Sequence, residues 1–407
     1  MIPIIPISDL NSNYKEENSP DSYSIIGLNK PIPLSLYIHI PWCVSKCPYC
    51  DFNSHESKGT MPEDDYVNAL IVDLEQSTPL IWGRKIHSVF FGGGTPSLFS
   101  TQSIDRILSH VRMLTSLEYG AEITLEANPG TFEAANFSGY RDSGVNRLSI
   151  GIQSFNDNYL KSLGRIHDRT QAISAIESAL TIFEKVNLDI MYGLPHQTID
   201  DALMDARIAT GFNPQHLSFY HLTLEPNTSF YHNPPKLPDD DTTSLMQDEI
   251  ESCLIEHGYE HYETSAFAKP KMECKHNLNY WNFGDYLGIG AGAHSKLSFH
   301  DKIIRQSRHK HPKRYIENSF IQKSVDNEWI IYKKDLTFEF MMNALRLTKG
   351  FESSLYSERT GLMFESLENL TNVASSRGLL EIDNKTIKPS QLGQRYLNDL
   401  LQLFLDD

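Results

Sequence analysis

The chain has 407 residues, a formal net charge of −16 and 40% hydrophobic residues. That length allows one large domain with a smaller one beside it, and the acidic balance argues against nucleic acid as a primary partner. Five cysteines, three of them clustered, do not make a disulfide framework and point to a reducing compartment, expected to be the cytoplasm.

Residues 1–31 read as a flexible tail, polar and rich in Pro, Ser and Asn over 11–24. The start has neither the basic region nor the long apolar run of a secretory signal, and no window approaches the ~18 apolar residues of a membrane span. Strands are expected at 34–40, 87–91, 122–125, 147–152, 187–191 and 216–223, with helices between them at 63–76, 102–114, 132–143, 170–183 and 200–210. This repeated strand-then-helix order predicts an α/β domain with a parallel sheet.

Further on, Cys253 falls in a helical run at 245–256 and is expected in the core, whereas Cys274 is expected to be a loop thiol. A basic stretch, Lys302, Arg305, Arg308, Lys310, Lys313 and Arg314, is interleaved with His300, His309 and His311. It reads as a solvated surface segment, or as a docking surface for carboxylates or anionic lipid, a possible peripheral membrane contact. After 332 the pattern turns helical, with helices expected at 339–347, 355–360, 363–376 and 391–405 and a small hairpin turning at Asn384 and Lys385. Helices, hairpin and final helix suggest a small winged-helix-like domain over 333–407. It carries little basic charge, so packing or partner docking is expected there rather than DNA binding.

Chemistry concentrates just after the first strand. Cys43, Cys47 and Cys50 form a C-x3-C-x2-C pattern on one short loop. A structural zinc wants four closed ligands, and His55 stands near enough in sequence to be a fourth. A [4Fe–4S] cube normally takes four cysteines, so three leave one iron open to a ligand from outside the protein. Downstream, four further apolar stretches end in turn chemistry: Gly92-Gly93-Gly94-Thr95-Pro96, Glu126-Ala127-Asn128-Pro129, Gln153-Ser154 and Asp189-Ile190-Met191-Tyr192-Gly193. In a barrel of parallel strands such carboxyl-end loops gather binding residues.

These motifs, in this order and over nearly the whole chain from residue 34, resemble the radical SAM superfamily, in the branch of oxygen-independent coproporphyrinogen III oxidases and heme chaperones (HemN/HemW). The resemblance implies a partial (β/α)6 TIM-like barrel over 32–332, with Cys43, Cys47 and Cys50 on a [4Fe–4S] cluster whose open iron binds S-adenosylmethionine (SAM). It places Tyr37 near the sulfonium and Arg165 on the methionine carboxylate, where a guanidinium fork suits the geometry. Tyr49 offers a face for adenine. Gly93, Gly94 and Thr95 bring bare backbone toward the methionine amino group, and Glu126, Gln153 and Asp189 can accept from ribose hydroxyls or the ammonium.

Three features bear on the choice within the branch. The oxidases carry a further cysteine two positions after the third ligand, where this chain has Phe52. They also have a long structured N-terminal extension, whereas about forty residues precede Cys43 here. Third, His276-Asn277-Leu278-Asn279-Tyr280-Trp281 matches a motif associated with heme in the chaperones, with His276 as axial ligand and Tyr280 and Trp281 as flat apolar surface. His294, in the glycine-rich segment that follows, is a secondary contact. The expected function is therefore heme binding and transfer to an acceptor protein, with an electron donor to the cluster as a second partner. The alternative is an oxidase that decarboxylates coproporphyrinogen propionates by radical chemistry.

Overall fold

The computed structural model describes residues 27–28, 30–57, 59 and 61–405, so nearly all of the tail expected over 1–31 lies outside the described residues. Six strands follow one another in parallel: β1 (Leu34–Ile40), β2 (Lys85–Gly93), β3 (Ser116–Ala127), β4 (Arg147–Gln153), β5 (Lys185–Tyr192) and β6 (His216–His221). The helices between them are α1 (Glu63–Ile81), α2 (Thr101–Leu114), α3 (Thr131–Ser143), α4 (Arg169–Ile182) and α5 (Ile199–Gly211). Local chemistry starts these helices. Ser100 accepts from the Ser103 amide, and Asp168 with Gln171 and Thr198 with Asp201 close capping boxes.

The six-strand unit is one part of a twelve-stranded open sheet. A strand from much later in the chain, Asp285–Ile289, lies parallel against the free side of β1. Three antiparallel strands extend the sheet beyond it, His294–Ser298, Ile303–Arg308 and Val325–Ile330. On the far side, Ala266–Ala268 pairs antiparallel with β6. β1 is therefore an interior strand, and Leu34, Leu36, Ile38 and Ile40 are fully buried, each stabilising the sheet by about 1.5–3 kcal/mol. The loop it feeds emerges from the middle of the sheet.

The basic stretch divides: Arg305, Arg308 and His309 are buried, which corrects the expectation of a wholly solvated segment, while His300, Lys310, His311, Lys313 and Arg314 are exposed. All of Ile303–Arg308 is buried. Arg308 donates to both oxygens of Asp73 on α1 and to Ser77, while Arg305 forks onto Glu339. These guanidiniums lock the sheet extension to its neighbours, while the residues flanking it face water: Lys313 is 79% exposed. Cys253 is buried in Asp240–Glu256 as expected, and Cys274 stands at the end of the loop that leads into the helix Lys275–Trp281, as its fully buried cap residue.

Beyond 332 come the helices Lys333–Ala344, Ser353–Thr360 and Glu368–Ser376 and a three-stranded sheet of Phe351–Glu352, Thr386–Pro389 and Leu380–Asp383. They enclose a second core around Phe340, Tyr356 and Leu400, which Phe283 and Ile303 from the preceding segment join. The single helix expected over 391–405 is broken at Tyr396 into Gln391–Arg395 and Leu397–Gln402. Among the described residues no helix is long and apolar enough to cross a membrane.

Candidate cofactor site

A cavity of about 990 Å³ opens at the carboxyl ends of the parallel strands, at the upper end of the ~300–1,000 Å³ usual for ligand sites. Cys43, Cys47 and Cys50 line it, with Tyr49, Gly93, Gly94, Thr95, Glu126, Gln153, Arg165 and Asp189. The opposite wall comes from Phe338 and Met342 and from the C-terminal segment, including Tyr396, Leu401 and Leu405.

The cysteine loop is fixed at its root. The Gly94 and Thr95 amides donate to the Ile40 and Trp42 carbonyls at 2.7 and 2.8 Å, and the Ser57 amide donates to the Cys43 carbonyl. Each sulfur has a polar neighbour: Thr95 Oγ1 lies 3.5 Å from Cys43 Sγ, Arg165 Nη1 lies 3.7 Å from Cys47 Sγ and Ser54 Oγ lies 3.8 Å from Cys50 Sγ. Burial pushes the Cys50 thiol up to about 11 and also raises Cys43, so thiolates form here only against positive charge or donors. A closed zinc site would need a fourth protein ligand beside the three thiols. His55 instead meets His311 edge-on. Three thiols on one loop, each beside a hydroxyl or guanidinium, fit an anionic iron–sulfur cube.

The glycine run is needed for a reason other than ligand approach. A Cβ on Gly93, whose φ is +116°, would sit 2.5 Å from the His39 ring, and one on Gly94 would sit 2.5 Å from the Trp42 carbonyl oxygen. The turn can close over β1 only without side chains. The Gly93 amide is already engaged, donating to Glu126 Oε2 at 3.2 Å. Tyr37 bonds His39 Nδ1 at 3.0 Å, while His39 Nε2 donates to the Asn53 carbonyl and burial lowers that imidazole to about 4. Tyr37 thus braces the floor beside the cavity.

Glu126 is half-buried, and desolvation, aided by the nearby Asp189 charge, raises its carboxyl to about 8. Asp189 is held by Ser149 and Asn187, each at 2.9 Å. Gln153, in a left-handed turn with φ of 67°, folds back over Gly151, whose missing Cβ leaves room for its amide. Arg165 Nη2 donates to Asn128 Oδ1 at 2.6 Å and to the Gly151 carbonyl at 2.9 Å, and Asn128 Nδ2 donates to Thr95 Oγ1. Asn128 joins Thr95 and Arg165 and was not singled out from sequence. Its place at the end of β3, next to Glu126, was the available signal.

The aromatic hexapeptide divides. Trp281 lines the cavity, but His276 is only 1% exposed. Its Nδ1 pairs with Ser88 Oγ at 2.9 Å and its Nε2 with the Tyr280 hydroxyl at 3.0 Å. Phe90 covers its face, and burial lowers it to about 3. Either nitrogen can reach a heme iron only by giving up one of these partners. Tyr280 is likewise packed inward, edge-on to Tyr286. His294 is partly buried, and burial lowers it to about 4.

Comparison with known proteins follows the same lines. The model of the radical SAM superfamily matches residues 37–208, and that of the HemN C-terminal domain matches 331–396. The chain is 47% identical over 381 residues to the heme chaperone HemW of Haemophilus influenzae, covering 92% of this chain and 98% of that one. It is 46% identical to the heme chaperone HemW of Escherichia coli over 92% and 98% of the two chains. Among solved structures, coproporphyrinogen III oxidase (HemN) from Escherichia coli superposes with a TM-score of 0.78 at 22% identity, covering 98% of both chains. That likeness is one of fold.

Proposed function

Because the chain belongs to the radical SAM superfamily and, within it, to the heme chaperone HemW family, we propose that it binds heme as cargo and passes it to an acceptor protein. The observation that carries this reading is the identity of 47% over 98% of a heme chaperone's length, against a 22% likeness to the oxidase that shows fold alone. Phe52, in the place of the oxidases' additional cysteine, supports it. The family carries a [4Fe–4S] cluster with SAM, and we assign the cluster to Cys43, Cys47 and Cys50. When bound, the pair supplies a one-electron centre beside the cavity.

The chain's own residues divide the work around it. Thr95 and Arg165 donate toward thiolates, Asn128 holds both donors in place, and Glu126 and Asp189 offer carboxylate oxygens for the polar groups of SAM. Met342, Phe338 and Leu401 exclude water from the opposite wall, leaving an apolar face for a macrocycle. His276 is the proposed axial ligand, in a state where Nε2 has left Tyr280. The segment from 333 onward is proposed to cover the cargo, the division of the chain at 332/333 being that of core and cover.

The test is a pair of assays on anaerobic, cluster-loaded protein. Heme titration should give about one heme per chain with a protein-ligated Soret band. His276→Ala should shift or abolish that band, and Tyr280→Phe, which frees Nε2, should preserve it. Incubation with SAM, reductant and coproporphyrinogen III should yield no protoporphyrinogen. Steady protoporphyrinogen formation would replace the chaperone reading with the oxidase one.

A further inference from the structure

Away from the cysteine loop the cavity meets two side chains, Arg346 and Trp281, each with a buried nitrogen that has no hydrogen-bond partner among the described residues. Arg346, just past the helix Lys333–Ala344, lines it together with Trp281. The guanidinium carbon stands 4.3 Å from the centre of the Trp281 ring, and the arginine side chain is 12% exposed. Among the described residues this guanidinium makes no hydrogen bond. Its Nε is buried without a partner, and the nearest carboxylate oxygen, Glu263 Oε2, is 3.8 Å away, beyond hydrogen-bond reach. Glu263 Oε2 and Trp281 Nε1 are also buried and unpartnered. Dehydrated donors of this kind are rare, because leaving them unmet is costly.

Two buried arginines of the sheet extension make the contrast plain. Arg305 and Arg308 spend their donors on carboxylates at hydrogen-bond distance. Glu263 supplies a countercharge to Arg346 while leaving its fork of donors unused. Beside it, Phe338 and Met342 give the same cavity an apolar wall.

We propose that Arg346 anchors a carboxylate of the ligand that fills this cavity, with Trp281 Nε1 as a companion donor. The ligand class is a flat apolar ring system bearing at least one carboxylate arm. A guanidinium fork meets a carboxylate with two parallel hydrogen bonds, which a lone ammonium does not. The inference rests on the heme-cargo reading and adds which part of heme is recognised: a propionate, held at the end of the cavity lined by residues from beyond position 332.

The experiment compares hemin with hemin dimethyl ester, in which both propionates are capped, by absorbance titration of anaerobic, cluster-loaded protein. Wild type should prefer the free acid by about ten- to a hundredfold, the range of a charge-assisted contact. Arg346→Gln should lose that preference while binding the ester within about twofold of wild type. Trp281→Phe, which keeps a ring but removes the N–H, should narrow the preference, and it carries the test if the arginine variant does not fold. Equal binding of acid and ester by wild type overturns the proposal and leaves heme as cargo standing. So does an Arg346→Gln variant that loses both ligands alike, or one that loses SAM affinity and not heme affinity. Wild type that binds neither heme form overturns the cargo reading and the anchor together.

Discussion

Glu126→Gln isolates the electrostatic cost built into the cavity. The Glu126 carboxyl is raised from its ordinary 4.5 to about 8 by burial first and by the Asp189 charge second. A carboxyl that is harder to ionise in the folded than in the unfolded chain opposes folding wherever the unfolded form is ionised. Below about pH 4.5 both forms are neutral and the penalty is absent. It grows as pH rises toward 8, where the folded form ionises as well, and is constant above that. At about 1.4 kcal/mol per unit, the full penalty is on the order of 4–5 kcal/mol. Glutamine keeps the shape and an oxygen for the Gly93 amide but cannot ionise. Anaerobic urea denaturation of both proteins, from pH 5 to 8.5, should show the variant gaining stability over wild type progressively as pH rises. The difference between the two cancels every other titrating group. A difference that stays flat over that range would refute the reasoning, and one that shrinks with rising pH would reverse its sign. Because the SAM ammonium favours an ionised neighbour, wild-type SAM affinity should also rise across this window and Glu126→Gln should flatten it.

The cluster assignment predicts about four iron and four sulfide per chain after anaerobic reconstitution. Cys43→Ala, Cys47→Ala or Cys50→Ala should each abolish this iron–sulfur loading, and Cys253→Ala should retain it; stoichiometric zinc instead would refute it. Arg165→Ala should weaken SAM binding by roughly 1.5–3 kcal/mol, read from the change SAM causes in the EPR signal of the reduced cluster. It removes donors to Asn128 and Gly151 together. Arg308→Ala should destabilise the fold by about 3–5 kcal/mol in the same denaturation assay, because it strands the buried Asp73 carboxylate.

What the sequence disclosed was what depends on spacing along one strand or loop. The three cysteines follow β1 by a few positions, and the glycine turn and the polar residues Glu126, Gln153 and Asp189 lie at or near the carboxyl ends of β2, β3, β4 and β5, so their convergence at one end of a parallel sheet follows from topology. What it concealed depends on which face of an element points inward. In His276-Asn277-Leu278-Asn279-Tyr280-Trp281, the seven-residue helix turns His276 toward Ser88 and Phe90 and leaves Trp281 at the cavity. A motif string does not state that rotation. Arg305 and Arg308 read as surface charge because their partners, Glu339 and Asp73, lie 34 and 235 positions away in the chain. The sheet extension that buries them is built from antiparallel strands, a pattern the repeated strand-then-helix reading had no place for.

The burial of His276 also bears on how cargo could be held and released. Its two nitrogens are both engaged, and the ring is packed under Phe90, so heme ligation there competes with a satisfied internal network rather than with water. Such a ligand is weaker in net terms than an exposed histidine, since the Tyr280 contact of roughly 0.5–1.5 kcal/mol must be given up when iron binds and is regained when iron leaves. A carrier that must surrender its cargo gains from that exchange: the returning Tyr280 hydroxyl lowers the free energy of the emptied site and favours release. A permanent heme protein has no use for such a competitor, and the Tyr280→Phe variant, which lacks it, should therefore hold heme longer than wild type in a transfer assay to an apo-protein acceptor.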